Sequence, residues 1–266
     1  MNDSPALPAV LDHIAIAAEH SIDNFLRYRG DLGGAWVAGM YDPGFYWGQL
    51  RFENGMTVEM LEPADIERDD FLRRFLDRNG PGPHHVTFKV PDIHEAIAAV
   101  TGAGYPPVRV NTENESWKEA FLHPKQSHGI VVQLAQAIEL DHTPQFELPP
   151  PKISRPASLE RIVHLVADLD AALGLFERIL GGVRGATNDH SVDLAWPGGG
   201  RICLASPSEP ELVAWMGARP GRVHHLEWAL DHPESVRDAV ALDSGAWEVA
   251  PEHNLGVRLR LHSRRS

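Results

Sequence analysis

The chain has 266 residues, which is enough for two domains of ordinary size or one large one. Its net charge of -13 argues against a nucleic-acid partner, because an acidic surface repels phosphate. The single cysteine, Cys203, rules out an internal disulfide and a cysteine metal cluster. Residues 1–10 lack the segments of a signal peptide, and no uncharged apolar run approaches the ~18 residues that cross a bilayer. We therefore expect a cytoplasmic protein with no membrane partner.

The first half of the chain predicts two successive units, each with a buried strand, a helix and further strands. The first unit has a strand at 10–17, then a helix through Ile22, Phe25, Leu26 and Leu32 that ends at two glycines. Strands at 47–52 and 56–61 follow, joined by a turn at 53–55.

The second unit repeats this order. Its strand at 84–90 is followed by a helix that Asp92 is expected to cap, and then by strands at 107–111, 117–122 and 129–135.

A proline-rich segment, TPQFELPPPKISRP at 143–156, separates the two halves. Proline cannot donate a backbone hydrogen bond and restricts the residue before it, so this segment predicts a semi-rigid linker. The predicted domains are 1–142 and 157–266.

The second half repeats the plan of the first. It has a strand at 161–167, a helix capped by Asp168, and strands at 192–196 and 201–205. A fourth unit opens with VHHLEWAL at 223–230 and closes with VRLRLH at 257–262. HHVTFKVPD and HHLEWALDH form the plainest internal repeat, so the chain is predicted to hold four copies of one strand-helix-strands unit.

Several motifs in the first half point to a known family. The segments LDHIAIA, VEMLEP, GPHHVTFKV and WKEAFLHPKQSHGIVVQLAQ together resemble the vicinal oxygen chelate (VOC) superfamily. That superfamily includes glyoxalase I, methylmalonyl-CoA epimerase, extradiol dioxygenases and bleomycin-resistance proteins, and the first half looks most similar to its epimerase-like members. The resemblance implies an α+β fold of four βαβββ modules in two cup-shaped domains. The first domain would hold the modules at about 10–63 and 84–136.

The same resemblance implies a metal site whose ligands lie on the first and last strands of each module. Matched motif by motif, these are His13, Glu59, His85 and Gln133. The residue types agree, because a buried imidazole or carboxylate needs a partner and a shared ion supplies one. Two imidazoles, a carboxylate and an amide oxygen suit one divalent ion: manganese, iron, cobalt, nickel or zinc. The alternative is four unrelated polar residues, each exposed to solvent or hydrogen-bonded in the core.

The corresponding positions in the second half are Arg161, Cys203, His225 and Arg260. A guanidinium group stays protonated and has no lone pair to coordinate a cation. We therefore expect the second domain to be a degenerate, metal-free VOC domain. Its two arginines would either hold an anionic ligand or form ion pairs.

For function, the resemblance implies a metal-dependent lyase or isomerase acting on a small carbonyl or acyl compound through a metal-stabilised enolate. The Gln133 amide has no useful basicity, and FYWGQLRF lacks the acidic residue that epimerases place there, so Glu59 is the predicted catalytic base as well as a ligand. One alternative is a non-haem iron extradiol-type dioxygenase that uses His13, His85 and Glu59. Another is a non-catalytic binder of small molecules. We expect a small-molecule substrate, and a homodimer is a possible assembly.

Overall fold

The computed structural model describes residues 6–21, 25–138 and 147–264. These residues contain two eight-stranded sheets. The strands of the first sheet are, in chain order, β1 (Val10–Ala17), β2 (Ala35–Asp42), β3 (Phe45–Arg51), β4 (Thr57–Pro63), β5 (Gly82–Lys89), β6 (Arg109–Asn111), β7 (Trp117–Leu122) and β8 (Val131–Ala137). Across the sheet their order is β2-β3-β4-β1-β5-β8-β7-β6.

The second sheet repeats this order with the strands of the second half. These are β9 (Ser158–Val166), β10 (Val183–Asn188), β11 (Ser191–Ala195), β12 (Arg201–Ala205), β13 (Gly221–Leu230), β14 (Val240–Ala241), β15 (Trp247–Val249) and β16 (Leu259–Ser263). Across the sheet their order is β10-β11-β12-β9-β13-β16-β15-β14.

Helices are short and lie between the strands. The α-helices are α1 (Phe71–Asn79), α2 (Ile93–Gly102), α3 (Leu169–Leu173) and α4 (Pro210–Met216). Two π-helical segments span Leu26–Asp31 and Gly174–Ile179, and two 3-10 turns span Pro233–Ser235 and Pro251–His253. Within the described ranges, no helix has both the length and the apolar character needed to cross a membrane.

Each run of four consecutive strands follows one plan, in which the first strand pairs in parallel with the fourth. This holds for β1 with β4, β5 with β8, β9 with β12 and β13 with β16. The second, third and fourth strands of each run pair antiparallel. The predicted α+β fold, with four modules of repeated strand order in two glyoxalase-like sheets, is confirmed.

The helical part differs from module to module. In the second, Asp92 accepts hydrogen bonds from the amides of His94 and Glu95, which confirms the predicted cap of α2. In the third, Asp168 accepts from Ala171 N, and α3 continues into the π-helical segment. In the first module, the predicted helix is the π-helical segment, and its proposed first residue, Ile22, lies outside the described residues.

The fourth module departs from the prediction, because a single 3-10 turn at Pro233–Ser235 takes the place of its helix. Val236 follows this turn in an extended conformation (φ -69°, ψ 129°), so the chain leaves the helical region after one turn. The predicted helix-containing repeat is therefore complete in three modules only.

Contacts within the chain group it into two compact units. One comprises His13–His84, Leu140–Glu160 and His225–Ser266. At its centre Trp228 is fully buried, edge-on to Phe52 at 4.6 Å between ring centroids and 6.0 Å from Tyr28.

The predicted linker belongs to this unit. Residues 143–146 lie outside the described residues, and the segment from 147 to 157 contains neither helix nor strand. Lys152 N donates to Gly30 O and Ala157 N donates to Leu32 O, so the linker is hydrogen-bonded along the first module. The predicted domain boundaries at this linker remain a prediction.

The other unit comprises Met1–Asp12, His85–Glu139 and Arg161–His224. Here Phe88 is fully buried and packs edge-on to Trp196 at 5.2 Å. His164 is buried in the same unit, where its Nε2 atom lies 2.7 Å from His128 O.

A close backbone approach inside each unit requires glycine. Gly129 has φ +96°, and a Cβ there would collide with Gly221 O. Gly256 has φ +80°, and a Cβ there would collide with Pro81 O. Gly129 lies four residues before Gln133 and Gly256 lies four residues before Arg260, which hold equivalent register positions in the second and fourth modules, so the approach is a repeated feature of the fold.

We expect Gly129→Ala to lower the free energy of unfolding by about 1–3 kcal/mol more than Gly104→Ala does. Both glycines have positive φ, so both variants bear the conformational cost of a left-handed alanine, but only Gly129 lies against backbone. Urea unfolding of the two variants measures the difference. Equal losses would mean that the backbone around Gly129 moves to accommodate the added methyl group at little cost.

His164 predicts a pH dependence of stability, because burial lowers its pKa to about 4 from an ordinary value of 6.5. The unfolded chain therefore binds a proton at this residue at higher pH than the folded chain does. Stability should fall as the pH drops from about 6.5 to about 4, by about 3 kcal/mol from this residue alone. We expect His164→Gln to reduce the loss of stability between pH 7 and pH 4.5 in urea titrations. An unchanged loss would assign the effect to other groups.

Candidate metal centre

His13 and Glu59 meet through the parallel pairing of β1 with β4. In the register Ala15 lies opposite Glu59, and His13 is two residues before Ala15, so both side chains leave the same face of the sheet. His13 Nε2 lies 3.7 Å from Glu59 Oε2, and the two residues are 0% and 8% exposed. On β3, directly opposite Glu59, Gln49 donates from Nε2 to Glu59 Oε1 at 2.9 Å.

His85 and Gln133 are placed by the equivalent pairing in the next module. Thr87 lies opposite Gln133 across β5 and β8, and His85 is two residues before Thr87. Both predicted ligands are 5% exposed. The Thr87 hydroxyl donates to Gln133 Oε1 at 2.5 Å, and Gln133 Nε2 donates to Glu119 Oε2 at 2.7 Å. The side chain of Gln133 is therefore held at both ends.

Three of the four predicted ligands form one buried group. A potential ligand atom from each of His13, Glu59 and His85 lies within 4.8 Å of those of the other two. Two imidazoles and one carboxylate at this spacing fit a divalent transition metal, which takes nitrogen and oxygen ligands together. Gln133 lies on the same face of its strand pair as His85, and its place as the fourth ligand remains a prediction.

Comparison with known proteins agrees with this geometry. Residues 12–121, which include those three ligands, match the family model of the Glyoxalase/Bleomycin resistance protein/Dioxygenase superfamily. Over these residues the chain is similar to members of this superfamily. A relative from Cereibacter sphaeroides, an ethylmalonyl-CoA/methylmalonyl-CoA epimerase, is 29% identical over 144 residues, covering 47% of this chain and 96% of its own.

Two solved structures are also similar to this chain. The methylmalonyl-CoA epimerase from Mycobacterium tuberculosis matches 52% of this chain and 93% of its own, with 21% identity and a TM-score of 0.45. A hypothetical protein from Staphylococcus aureus matches 96% of this chain and 99% of its own, with 10% identity and a TM-score of 0.61. The second likeness shows that the fold runs through both halves.

Strand register identifies the second-half counterparts of the four ligands. Cys203 lies opposite Val163 as Glu59 lies opposite Ala15, which makes Arg161 the counterpart of His13. Likewise Arg260 lies opposite Glu227 as Gln133 lies opposite Thr87, which makes His225 the counterpart of His85. The sequence-based correspondence is therefore the structural one.

The two arginines form ion pairs with acidic neighbours, and His225 also lies beside a glutamate. Arg161 Nη1 lies 3.0 and 2.9 Å from the two carboxylate oxygens of Asp193, which occupies the register position of Gln49. Arg260 Nε lies 2.7 Å from Glu248 Oε2, and His225 Nε2 lies 3.2 Å from Glu227 Oε1. Of the two outcomes expected for these arginines, the ion pairs are present, and a metal-free second domain remains a prediction.

Two polar neighbours of the predicted ligands, Gln49 and Glu119, were not among the predicted site residues. Gln49 was missed, although the turn at 53–55 pairs Phe52 with Met56 and so sets Gln49 opposite Glu59. Glu119 contacts Gln133 and also accepts from Trp117 Nε1 at 2.7 Å. His84, next to His85, packs instead against the ring of Phe75 at 4.8 Å.

Metal binding should depend on the first half alone. We expect the wild-type protein to bind one divalent ion per chain, and His13→Ala or His85→Ala to abolish stoichiometric binding, because each removes one of three clustered ligands. Elemental analysis of the purified proteins measures this. His225→Ala, at the position equivalent to His85, is the matched control and should keep full metal content.

Retention of full metal content in the double variant His13→Ala/His85→Ala would contradict the assignment. Loss of half or more of the metal in His225→Ala would place a second ion in the other half of the chain.

Proposed function

We propose that the first half of the chain holds one divalent ion through His13, Glu59, His85 and Gln133, and catalyses proton transfer at a carbon next to a carbonyl group, as an isomerase or lyase. The observation that carries the proposal is the buried His13, Glu59 and His85 group, whose potential ligand atoms lie within 4.8 Å of one another. The epimerase name of the Cereibacter sphaeroides relative supports an isomerase, and makes acyl-CoA thioesters the first substrates to test.

A divalent ion in this group would supply a Lewis acid beside a substrate carbonyl oxygen. The proposed proton acceptor is the Glu59 carboxylate. In this step the C–H bond breaks, the proton passes to a carboxylate oxygen of Glu59, and the electron pair moves toward the carbonyl oxygen. Return of the proton to carbon completes an isomerisation.

The hydrogen bond from Gln49 supports this role for Glu59. It engages Oε1 at 2.9 Å, whereas Oε2 lies 3.7 Å from His13 Nε2, so the two carboxylate oxygens have different surroundings. An amide donor stabilises the charged carboxylate and fixes its rotation. Glu59 is 8% exposed, so bulk water has little access to compete for the transferred proton.

A second candidate function uses the same three ligands. Two histidines and one carboxylate are the ligand set of non-haem iron oxygenases, so the His13, Glu59 and His85 group also favours an extradiol-type dioxygenase. Oxygen consumption by the iron-loaded protein with catechols distinguishes this function from proton transfer.

We expect Glu59→Gln to keep the fold and most of the bound metal, because a glutamine oxygen is also a ligand, and to lose proton transfer by about 10²–10⁴-fold. The measurement is deuterium uptake from solvent into acyl-CoA thioesters that carry an acidic α-proton. Cys203→Ser, at the position of Glu59 in the second half, is the matched control and should exchange at the wild-type rate.

Equal exchange by wild type and Glu59→Gln would place the base elsewhere. If neither exchanges while the iron-loaded wild type consumes oxygen with catechols, the dioxygenase function replaces the one proposed.

A further inference from the structure

Glu119 lies beside the predicted ligand Gln133 on the same face of the sheet. Across β7 and β8, Phe121 is opposite Gln133 and Glu119 is opposite Ala135, so Glu119 and Gln133 are diagonal neighbours. Gln133 Nε2 donates to Glu119 Oε2 at 2.7 Å. Resting on the proposed function, we infer that Glu119 is a positioning residue, which turns the Gln133 amide so that its oxygen is the atom presented for coordination.

The orientation of Gln133 decides whether it can be a ligand at all. An amide oxygen has lone pairs for a metal ion, whereas the amide nitrogen is a hydrogen-bond donor only. An ionised carboxylate only accepts hydrogen bonds, so Glu119 selects the nitrogen end of the amide. The Thr87 hydroxyl donates to the oxygen end at 2.5 Å and occupies one of its two lone pairs. The second lone pair would be available to a metal ion.

The hydrogen bond from Trp117 supports the same orientation of the Gln133 amide, because it also treats Glu119 as an acceptor. Its indole Nε1 can only donate, and it donates to Glu119 Oε2 at 2.7 Å, the oxygen that also accepts from Gln133. Trp117 and Gln133 thus both donate to Glu119, and Thr87 donates to Gln133, so the four side chains form one hydrogen-bonded group.

The hydrogen bonds of this group differ from those of the proposed base. Glu119 lies on β7 and contacts Gln133 and Trp117, while Glu59 lies on β4 and contacts Gln49. Outer partners of metal ligands typically change metal affinity 10–100-fold when removed. Glu119 should therefore affect how tightly the ion is held and have little direct part in moving the proton.

The test is a titration of the metal-free, full-length protein with Co²⁺ alone against a competing chelator. We expect Glu119→Gln to weaken Co²⁺ binding 10–100-fold, because a glutamine at 119 can face either end of the Gln133 amide. Glu115→Gln removes one negative charge from the exposed loop before β7, so it is the charge-matched control and should bind as the wild type does.

A double-mutant cycle separates positioning from a simple loss of charge. In the Gln133→Glu variant both terminal ligand atoms are oxygens, so orientation no longer matters, and adding Glu119→Gln should cause no further loss of Co²⁺ affinity. An equal loss in both backgrounds would overturn the inference and leave an electrostatic effect. Wild-type affinity in Glu119→Gln would overturn it as well. Failure of the wild type to bind Co²⁺ would contradict the proposed function itself.

Discussion

The burial of two imidazoles and a carboxylate side by side is the constraint on which the candidate site depends. His13, Glu59 and His85 are all less than 9% exposed, and taking such groups out of water is costly unless they are compensated. Parallel pairing of the first and last strand of a module produces this placement, because residues two apart on paired strands share a face. A divalent ion would compensate all three groups at once.

The second half handles the same constraint in a different way. Arg161 lies at the position equivalent to His13, and Asp193 lies at the position equivalent to Gln49. The positive charge of Arg161 therefore has a carboxylate partner. On the other strand pair Glu248 holds the register position of Phe121 and pairs with Arg260. Each arginine at a position equivalent to a predicted ligand thus has an acidic partner on the neighbouring strand, and Glu248 also pairs with Arg258.

Much of the fold could be predicted because its signals are local. The strand at 10–17, the strand at 117–122 and the caps at Asp92 and Asp168 follow from aliphatic runs and from side chains that cap helices. The strand at 183–188 could not, because all six of its residues are exposed and no alternation marks it.

Helix α1 was not predicted, although its sequence carries a local helical signal. Its apolar residues at 71, 72, 75 and 76 have helical spacing and could have been recognised.

The candidate site shows the limit of local signals more sharply. Motifs are sufficient to predict the ligands, but the amide nitrogen of Gln133 donates to Glu119, which is fourteen residues away in sequence and on another strand. Sequence patterns show that an amide is present; only the arrangement of donors and acceptors determines which end of that amide a ligand would meet.

Gln49 acts on Glu59 in the same manner, with an amide nitrogen donating to a carboxylate. In both pairs a glutamine and a glutamate are complementary, but the predicted ligand is the carboxylate in one pair and the amide in the other. One carboxylate, Glu59, is therefore a predicted ligand, whereas the other, Glu119, accepts a hydrogen bond from the predicted amide ligand.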